Sequence, residues 1–245
     1  MSHLTSPDIA RVTGAGKGMG RETARGLAVA GMTVLLGARD PGRGAAAAAD
    51  LADSGDVRFV HLDVTDPGTV KAAAAWISDT FGRLDVLVNN AGISIENRCP
   101  VDEVTAGQMR QTYETNVFGV VTVTAAMLPL LRRSANARIV NTSSMLGSLT
   151  LTADPAGPFA AWPGLLAYNS SKTALNALTV LYANALRGEG IKVNAADPGY
   201  VATDLNHHTG TRTAAEGAQI VVRLAILPAD GPTGTFHADD GPRPW

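Results

Sequence analysis

A phenol and an ammonium stand four residues apart in Tyr168-Asn169-Ser170-Ser171-Lys172. On a helix, positions i and i+4 share a face, so the Lys172 charge can sit near the Tyr168 oxygen. A free tyrosine titrates near ~10 and a neighbouring cation favours the phenolate, so such a pair can work as an acid or base. The same spacing also fits an amphipathic helix that merely carries a tyrosine and a lysine. The residues upstream decide between the two readings.

Those residues hang on an alternation of elements. Short β-branched and aliphatic runs at 9–13, 33–36, 58–62, 86–88, 137–141 and 192–195 read as strands. Longer alanine-rich stretches at 18–30, 42–52, 65–81, 106–131 and 167–186 read as helices. This order calls for an α/β, doubly wound (Rossmann) fold, a mostly parallel sheet with helices on both faces, in one domain over residues 1–245. One stretch breaks the pattern. Residues 148–164 carry Pro155, Pro158 and Pro163, too many prolines for a regular helix, and are expected to form a loop or short insertion before the Tyr168 helix.

In open sheets of this type ligands bind beyond the carboxyl ends of the strands, so chemistry is expected just after each one. After the first comes Thr13-Gly14-Ala15-Gly16-Lys17-Gly18-Met19-Gly20, then a helix. Glycines permit a tight turn and close approach to a phosphate, and the helix start supplies free N–H groups. The second strand ends in Ala38-Arg39-Asp40. An acidic residue there would grip the adenosine ribose hydroxyls of NAD. Ala38 and Arg39 stand there instead, and a guanidinium together with Lys17 suits the 2′-phosphate of NADP(H).

Asp63 and Val64 follow the third strand, where Asp63 can take an adenine amino group or cap the next helix. Asn89-Asn90-Ala91-Gly92 follows the fourth, with small residues that admit a ligand and amides that can bond to ribose or backbone. Thr142-Ser143-Ser144 follows the fifth, and Asp197-Pro198-Gly199-Tyr200-Val201-Ala202-Thr203, a rigid turn fit to flank a nicotinamide, follows the sixth. Each alone has a bland explanation in turn or cap chemistry. Their joint occurrence in this order does not.

The set resembles the short-chain dehydrogenase/reductase family over nearly the whole chain. Thr13–Gly20 matches its cofactor loop, Asn89–Gly92 its Asn-Asn-Ala-Gly, and Tyr168 with Lys172 its Tyr-x-x-x-Lys. Asn116 matches its catalytic asparagine, Ser144 its catalytic serine, and Pro198, Gly199 and Thr203 its nicotinamide segment. The resemblance implies hydride transfer from NADPH to a carbonyl carbon, with Tyr168 donating the proton and Ser144 holding the oxygen. Lys172 would lower the Tyr168 pKa and hold the ribose, and Asn116 would anchor a water leading to solvent. Lys17, Ala38-Arg39-Asp40, the 148–164 stretch and Gly231–Phe236 are similar to the carbonyl reductase branch. Arg11 departs from the family, which has an apolar residue in that strand, so it either finds a partner or marks a local shift.

The bulk properties narrow the partners. A net charge of −2 without charge blocks recommends neither nucleic acid nor an anionic membrane. The lone Cys99 excludes a disulfide framework, and a soluble cytoplasmic protein is expected. No uninterrupted apolar run reaches membrane-spanning length, with 117–131 coming nearest. His207 and His208 lack a third ligand, so no metal is expected. The expected function is NADPH-dependent reduction of a ketone or aldehyde. The alternatives are an NADP-dependent secondary-alcohol dehydrogenase and a non-catalytic NADP(H)-binding sensor. A monomer or homodimer is favoured over a tetramer. Ser94, Ile95, Met145, Trp162, Tyr200, His207 and Trp245 line the substrate side by position, each equally open to packing or surface roles.

Overall fold

Strand residues alternate between two apolar layers, which is what sorts the helices onto two faces. Ala10 and Val12 of β1 (Ile9–Val12), Val34 and Leu36 of β2 (Thr33–Ala38), and Val86 and Val88 of β4 (Val86–Asn89) point into one layer. There they meet Leu27 of α1 (Gly18–Val29), Ala47 of α2 (Pro41–Ala49) and Ile220 and Leu224 of α8 (Ala214–Ala225). Ile9, Leu35 and Leu87 point the other way, onto Ile77 of α3 (Pro67–Phe81), Val123 and Met127 of α5 (Gly119–Leu131) and Ala183 of α7 (Leu166–Leu186). This period of two is the strand geometry itself. The computed structural model describes residues 7–245 apart from 97–98, 158 and 160–163, so the expected pocket residue Trp162, like Pro158 and Pro163, lies outside the described residues.

The remaining strands are β3 (Val57–His61), β5 (Arg138–Thr142), β6 (Lys192–Ala196), β7 (Phe236–Ala238) and β8 (Gly241–Pro242). The sheet order is β3-β2-β1-β4-β5-β6-β7-β8, parallel throughout except for the last, antiparallel pair. The chain reverses its direction of travel across the sheet between β1 and β4, and ligands of doubly wound folds bind at the crevice this opens.

Most expected elements appear within one or two residues, with three differences. The helix expected over 106–131 is continuous but contains a π turn, Glu114–Phe118, between α4 (Ala106–Tyr113) and α5. An 18-residue window of this 26-residue run has mean hydropathy 1.4, so by length and composition the helix could cross a bilayer. Half of that window is buried here, where α5 packs on α3 and β4, and α4 packs on α7. The 148–164 stretch starts with a single-turn helix, α6 (Leu149–Ala153), capped by Ser148, which accepts the Leu151 N–H. Finally, β7 and β8 were too short to carry a periodic signal.

Arg11 is fully buried on β1, in register with Leu35 and Leu87, so the strand is not shifted. Its Nη2 donates to the Val60 carbonyl at 3.0 Å, while Nε and Nη1 have no partner among the described residues.

Candidate active site

The glycine turn after β1 is braced from behind. Thr13 Oγ1 accepts the N–H groups of Asn90 and Ala91 at 2.9 and 3.0 Å, and the Asn90 amide donates to the Thr13 and Gly14 carbonyls. The Asn90 side chain, like the N–H groups of Asn90 and Ala91, is therefore spent on bracing the turn. Gly14 has φ +63°, and a Cβ there would lie 2.8 Å from Ala91 Cα, so only glycine fits. Gly20 is as tightly set, against Asn90 and the Gly14 carbonyl. Gly18 has φ +55° and lies beside Thr203, whose Cγ2 would be 3.6 Å from a Cβ there, and Met19 Sδ lies near Gly217 beside Val201.

The α1 helix starts without a side-chain cap, so its first N–H groups are free to meet an anion. Cations surround that start. Gly16 lies against Ala38 and the stem of Arg43, Arg39 is exposed at the end of β2, and Lys17 pairs with Asp204. Arg43 is a cation that reading along the strands missed. Asp40 caps α2 by accepting the Arg43 backbone N–H at 2.7 Å, and the Arg43 side chain lies against Gly16. A tight glycine cradle, an uncapped helix start and this cluster of cations fit a phosphate-bearing dinucleotide. Asp63 bonds Thr65 through Oδ1 and forms a turn, with Val64 buried behind it, while Asp66 is the cap of α3. Pro198 and Gly199 are held in place by Arg212, which donates to the Pro198 carbonyl, and Asp197, which accepts the Gly199 N–H.

The reactive groups converge on α7. Tyr168 is 9 % exposed and its hydroxyl is hydrogen-bonded to Ser144. Ser143 points away: it is buried and donates to Asn176 Oδ1 at 2.6 Å, so the second serine is the one that faces the site. Gly147 lets the Ser144 turn press on α7, since a Cβ there would lie 2.7 Å from the Lys172 carbonyl carbon. Asn116 sits in the π turn, a local widening that recurs at functional sites. Its amide clamps Ile93 through both backbone groups, at 2.8 and 2.9 Å, and reaches Ser171 at 3.0 Å. Gly92 lies between Asn116 and Lys172.

Lys172 is 4 % exposed and its ammonium donates to the Thr142 carbonyl at 2.7 Å, lying 5.6 Å from the Tyr168 ring centre. Burial lowers its pKa to about 8. Burial likewise pushes the Tyr168 phenol up to about 12; the Ser144 bond opposes this and the Asp197 charge adds to it. Burial, rather than the Lys172 charge expected from spacing, dominates the phenol's pKa.

One further residue was not foreseen. Glu96, 2 % exposed, accepts the N–H groups of Ala167 and Tyr168 at 2.6 and 2.9 Å and so supplies the cap that α7 lacks locally. Of the expected pocket residues, Ser94, Ile95 and Met145 flank the site on its loops, Tyr200 is exposed and bonded to Thr209, and His207 stands in a left-handed turn.

Known proteins share this arrangement. The family model described as short chain dehydrogenase matches residues 8–214. Short-chain dehydrogenase/reductase 1 of Saponaria officinalis is 36 % identical, covering 100 % of this chain and 98 % of its own. Carbonyl reductase [NADPH] 1 of Mus musculus is 34 % identical, covering 98 % and 99 %. The crystal structure of NADPH-bound carbonyl reductase from chicken fatty liver superposes with a TM-score of 0.86 at 29 % identity, covering 99 % of this chain and 100 % of that one. With the sheet order, the glycine turn and the Ser144–Tyr168–Lys172 cluster in the same frame, the chain belongs to the short-chain dehydrogenase/reductase family, as an enzyme with carbonyl reductase-like relatives.

Proposed function

We propose that this oxidoreductase reduces a ketone or aldehyde to an alcohol using NADPH, with Tyr168 as the general acid. The observation that carries the reading is a buried phenol hydrogen-bonded to Ser144, with its pKa raised to about 12. Such a phenol is protonated at neutral pH, so it holds the proton that a carbonyl oxygen takes up as charge develops on it.

When bound, NADPH would supply the hydride. Residues of this chain that could hold it are the glycine turn 14–20 and the free N–H groups of α1 for the pyrophosphate, and Arg39, Arg43 and Lys17 for the 2′-phosphate. The mouse relative bears NADPH in its name and the chicken carbonyl reductase structure holds it, which supports the same cofactor here. The chain's own part is to position and polarise. Ser144 hydrogen-bonds the carbonyl oxygen as charge develops on it, Tyr168 protonates it, and Lys172 lies beside the ring. Asn116 holds Ile93 and Ser171, which fixes the wall opposite α7.

The test is NADPH consumption over a panel of small ketones, aldehydes, quinones and polycyclic carbonyls, each run also with NADH. Turnover with NADPH that exceeds turnover with NADH is expected. Tight NADPH binding with no turnover on any of them would return the sensor reading, and equal use of NADH would contradict the cofactor assignment.

A further inference from the structure

A buried carboxylate with no step of its own in the reaction stands where β5 and β6 part. The register of these strands ends at Thr142 opposite Ala196, and the Ser143 N–H donates to the Ala196 carbonyl at 2.8 Å. Past that bond a side chain takes over from the backbone. Asp197, 1 % exposed, accepts the N–H groups of Met145 and Gly199 on Oδ1, both at 3.2 Å. Its other oxygen, Oδ2, receives Arg243 Nε at 3.2 Å, and Arg243 Nη2 goes on to Asp240 at 2.8 Å. The Asp197 N–H donates to the His237 carbonyl of β7 at 2.7 Å. Both oxygens and the backbone of Asp197 are thus fixed from separate elements. Burying a carboxylate is costly unless it is paired and hydrogen-bonded, and Asp197 meets that condition through two turns and Arg243.

Each N–H that Oδ1 accepts belongs to a rigid unit. A peptide group is planar and includes the Cα of the residue before its N–H. Holding the Met145 N–H therefore orients the plane that carries Ser144 Cα, and holding the Gly199 N–H orients the plane that carries Pro198 Cα. Ser144 bears the hydroxyl bonded to Tyr168, and the Pro198 carbonyl is pinned by Arg212. We propose that Asp197 is a positioning residue for the reduction. Its Oδ1 spans the Ser144 turn and the Pro198–Gly199 turn, and so sets the spacing between the hydroxyl that holds the carbonyl oxygen and the turn that seats the nicotinamide. The inference rests on the reading of Ser144 as that hydroxyl, and it gives Ser144 a support from the turn after β6.

The test separates the acceptor from the charge. Asp197→Ala removes the acceptor, with Asp197→Val made in parallel as a variant that fills more of the space. Asp197→Asn keeps one. Its amide oxygen takes the Oδ1 place, because the reverse orientation would set its NH2 against two N–H donors instead of one. In the cofactor-free protein, exchange of the Met145 and Gly199 amide protons, followed by NMR, should quicken at least about tenfold in the first two variants and stay within about threefold of the parent in Asp197→Asn. With saturating NADPH and the best carbonyl of the panel, kcat should fall about tenfold in the first two, part of the roughly 100-fold that an ångström of misplacement can cost. KM should stay within about threefold, and kcat should recover in Asp197→Asn. A role confined to stability would lower the unfolding midpoint and leave kcat below that midpoint unchanged. Parent-level kcat in folded Asp197→Ala or Asp197→Val, a kcat in Asp197→Asn as low as about a tenth of the parent's, or exchange that ignores the acceptor would overturn the proposal. Ser144→Ala is run beside them. Parent-level turnover there defeats the functional reading, whereas slow turnover there with parent-level turnover in Asp197→Ala defeats this proposal alone.

Discussion

Replacing Arg11 with methionine should make the protein more stable, although it removes a charged group and a hydrogen bond. Arg11 occupies a position on β1 whose neighbours in register, Leu35 and Leu87, belong to an apolar layer. Its guanidinium lies over Gly37, where a Cβ would come within 2.8 Å of Nη2, and among the described residues it reaches only the Val60 carbonyl. Burial brings its pKa from 12.5 down to about 9, which at ~1.4 kcal/mol per unit is a cost on the order of 5 kcal/mol at neutral pH. Against this stands the Val60 bond, whose loss costs about 1–3 kcal/mol. An unbranched thioether follows the same path across β2 and fills most of the space. The balance is a gain of about 2–4 kcal/mol, or roughly 5–10 °C in Tm for a chain of this length.

Denaturant unfolding of parent and variant at matched pH measures it. The pH dependence carries a second signature. The folded-state pKa lies below the unfolded one, so the folded protein releases this proton first. The cost is therefore full below about pH 9 and is relieved as pH rises towards 12.5. The advantage of Arg11→Met should be constant up to about pH 9 and shrink above it. A variant less stable than the parent by 1 kcal/mol or more, or a gap that ignores pH, would refute the reasoning.

Three further outcomes follow from the same structure. Lys172 is buried with its pKa lowered to about 8, so its cost to stability is full below pH 8 and fades towards 10.5. Lys172→Met should accordingly raise the midpoint of apoprotein unfolding while cutting carbonyl reduction at least about 100-fold, a trade of function for stability. Arg39→Ala and Arg43→Ala should each weaken NADPH by about 10- to 100-fold and leave NADH nearly unchanged, since a charge-assisted contact contributes about 1.5–3 kcal/mol; isothermal titration reads this, and equal losses for both cofactors would remove them from the 2′-phosphate. Glu96→Gln keeps an acceptor for only one of the two α7 N–H groups at full strength, so unfolding should be easier by about 1–2 kcal/mol, with a fall in kcat larger than any rise in KM; an unchanged kcat would mean that Tyr168 is held without it.

Much of the fold was legible because its signals are local. Strands β1 to β6 announce themselves as β-branched and aliphatic runs bounded by glycine, proline or polar residues, and the turn after each strand holds its functional residue within a few positions. The choice of Ser144 over Ser143 came from family resemblance, and the structure supplies its physical reason: Ser143 is spent on Asn176. What sequence could not disclose are contacts between distant segments. Glu96 caps a helix 71 and 72 residues away, and Arg243 reaches Asp197 across 46 residues, with nothing in either neighbourhood to pair them. The raised pKa of Tyr168 was missed for a related reason. Spacing shows that a cation is near, but desolvation depends on everything packed around the ring, and here it dominates. The π turn at Asn116 was hidden because it leaves the apolar period of the 106–131 helix nearly intact.

The central claim is that Tyr168 delivers the proton to a carbonyl oxygen, and Tyr168→Phe tests it most directly because it deletes one hydroxyl and keeps the ring. With the best carbonyl found in the panel, kcat should fall by at least about 100-fold, the range set by loss of a positioned general acid, while the NADPH dissociation constant stays within about twofold. Turnover at the parent rate with cofactor binding intact would contradict the account.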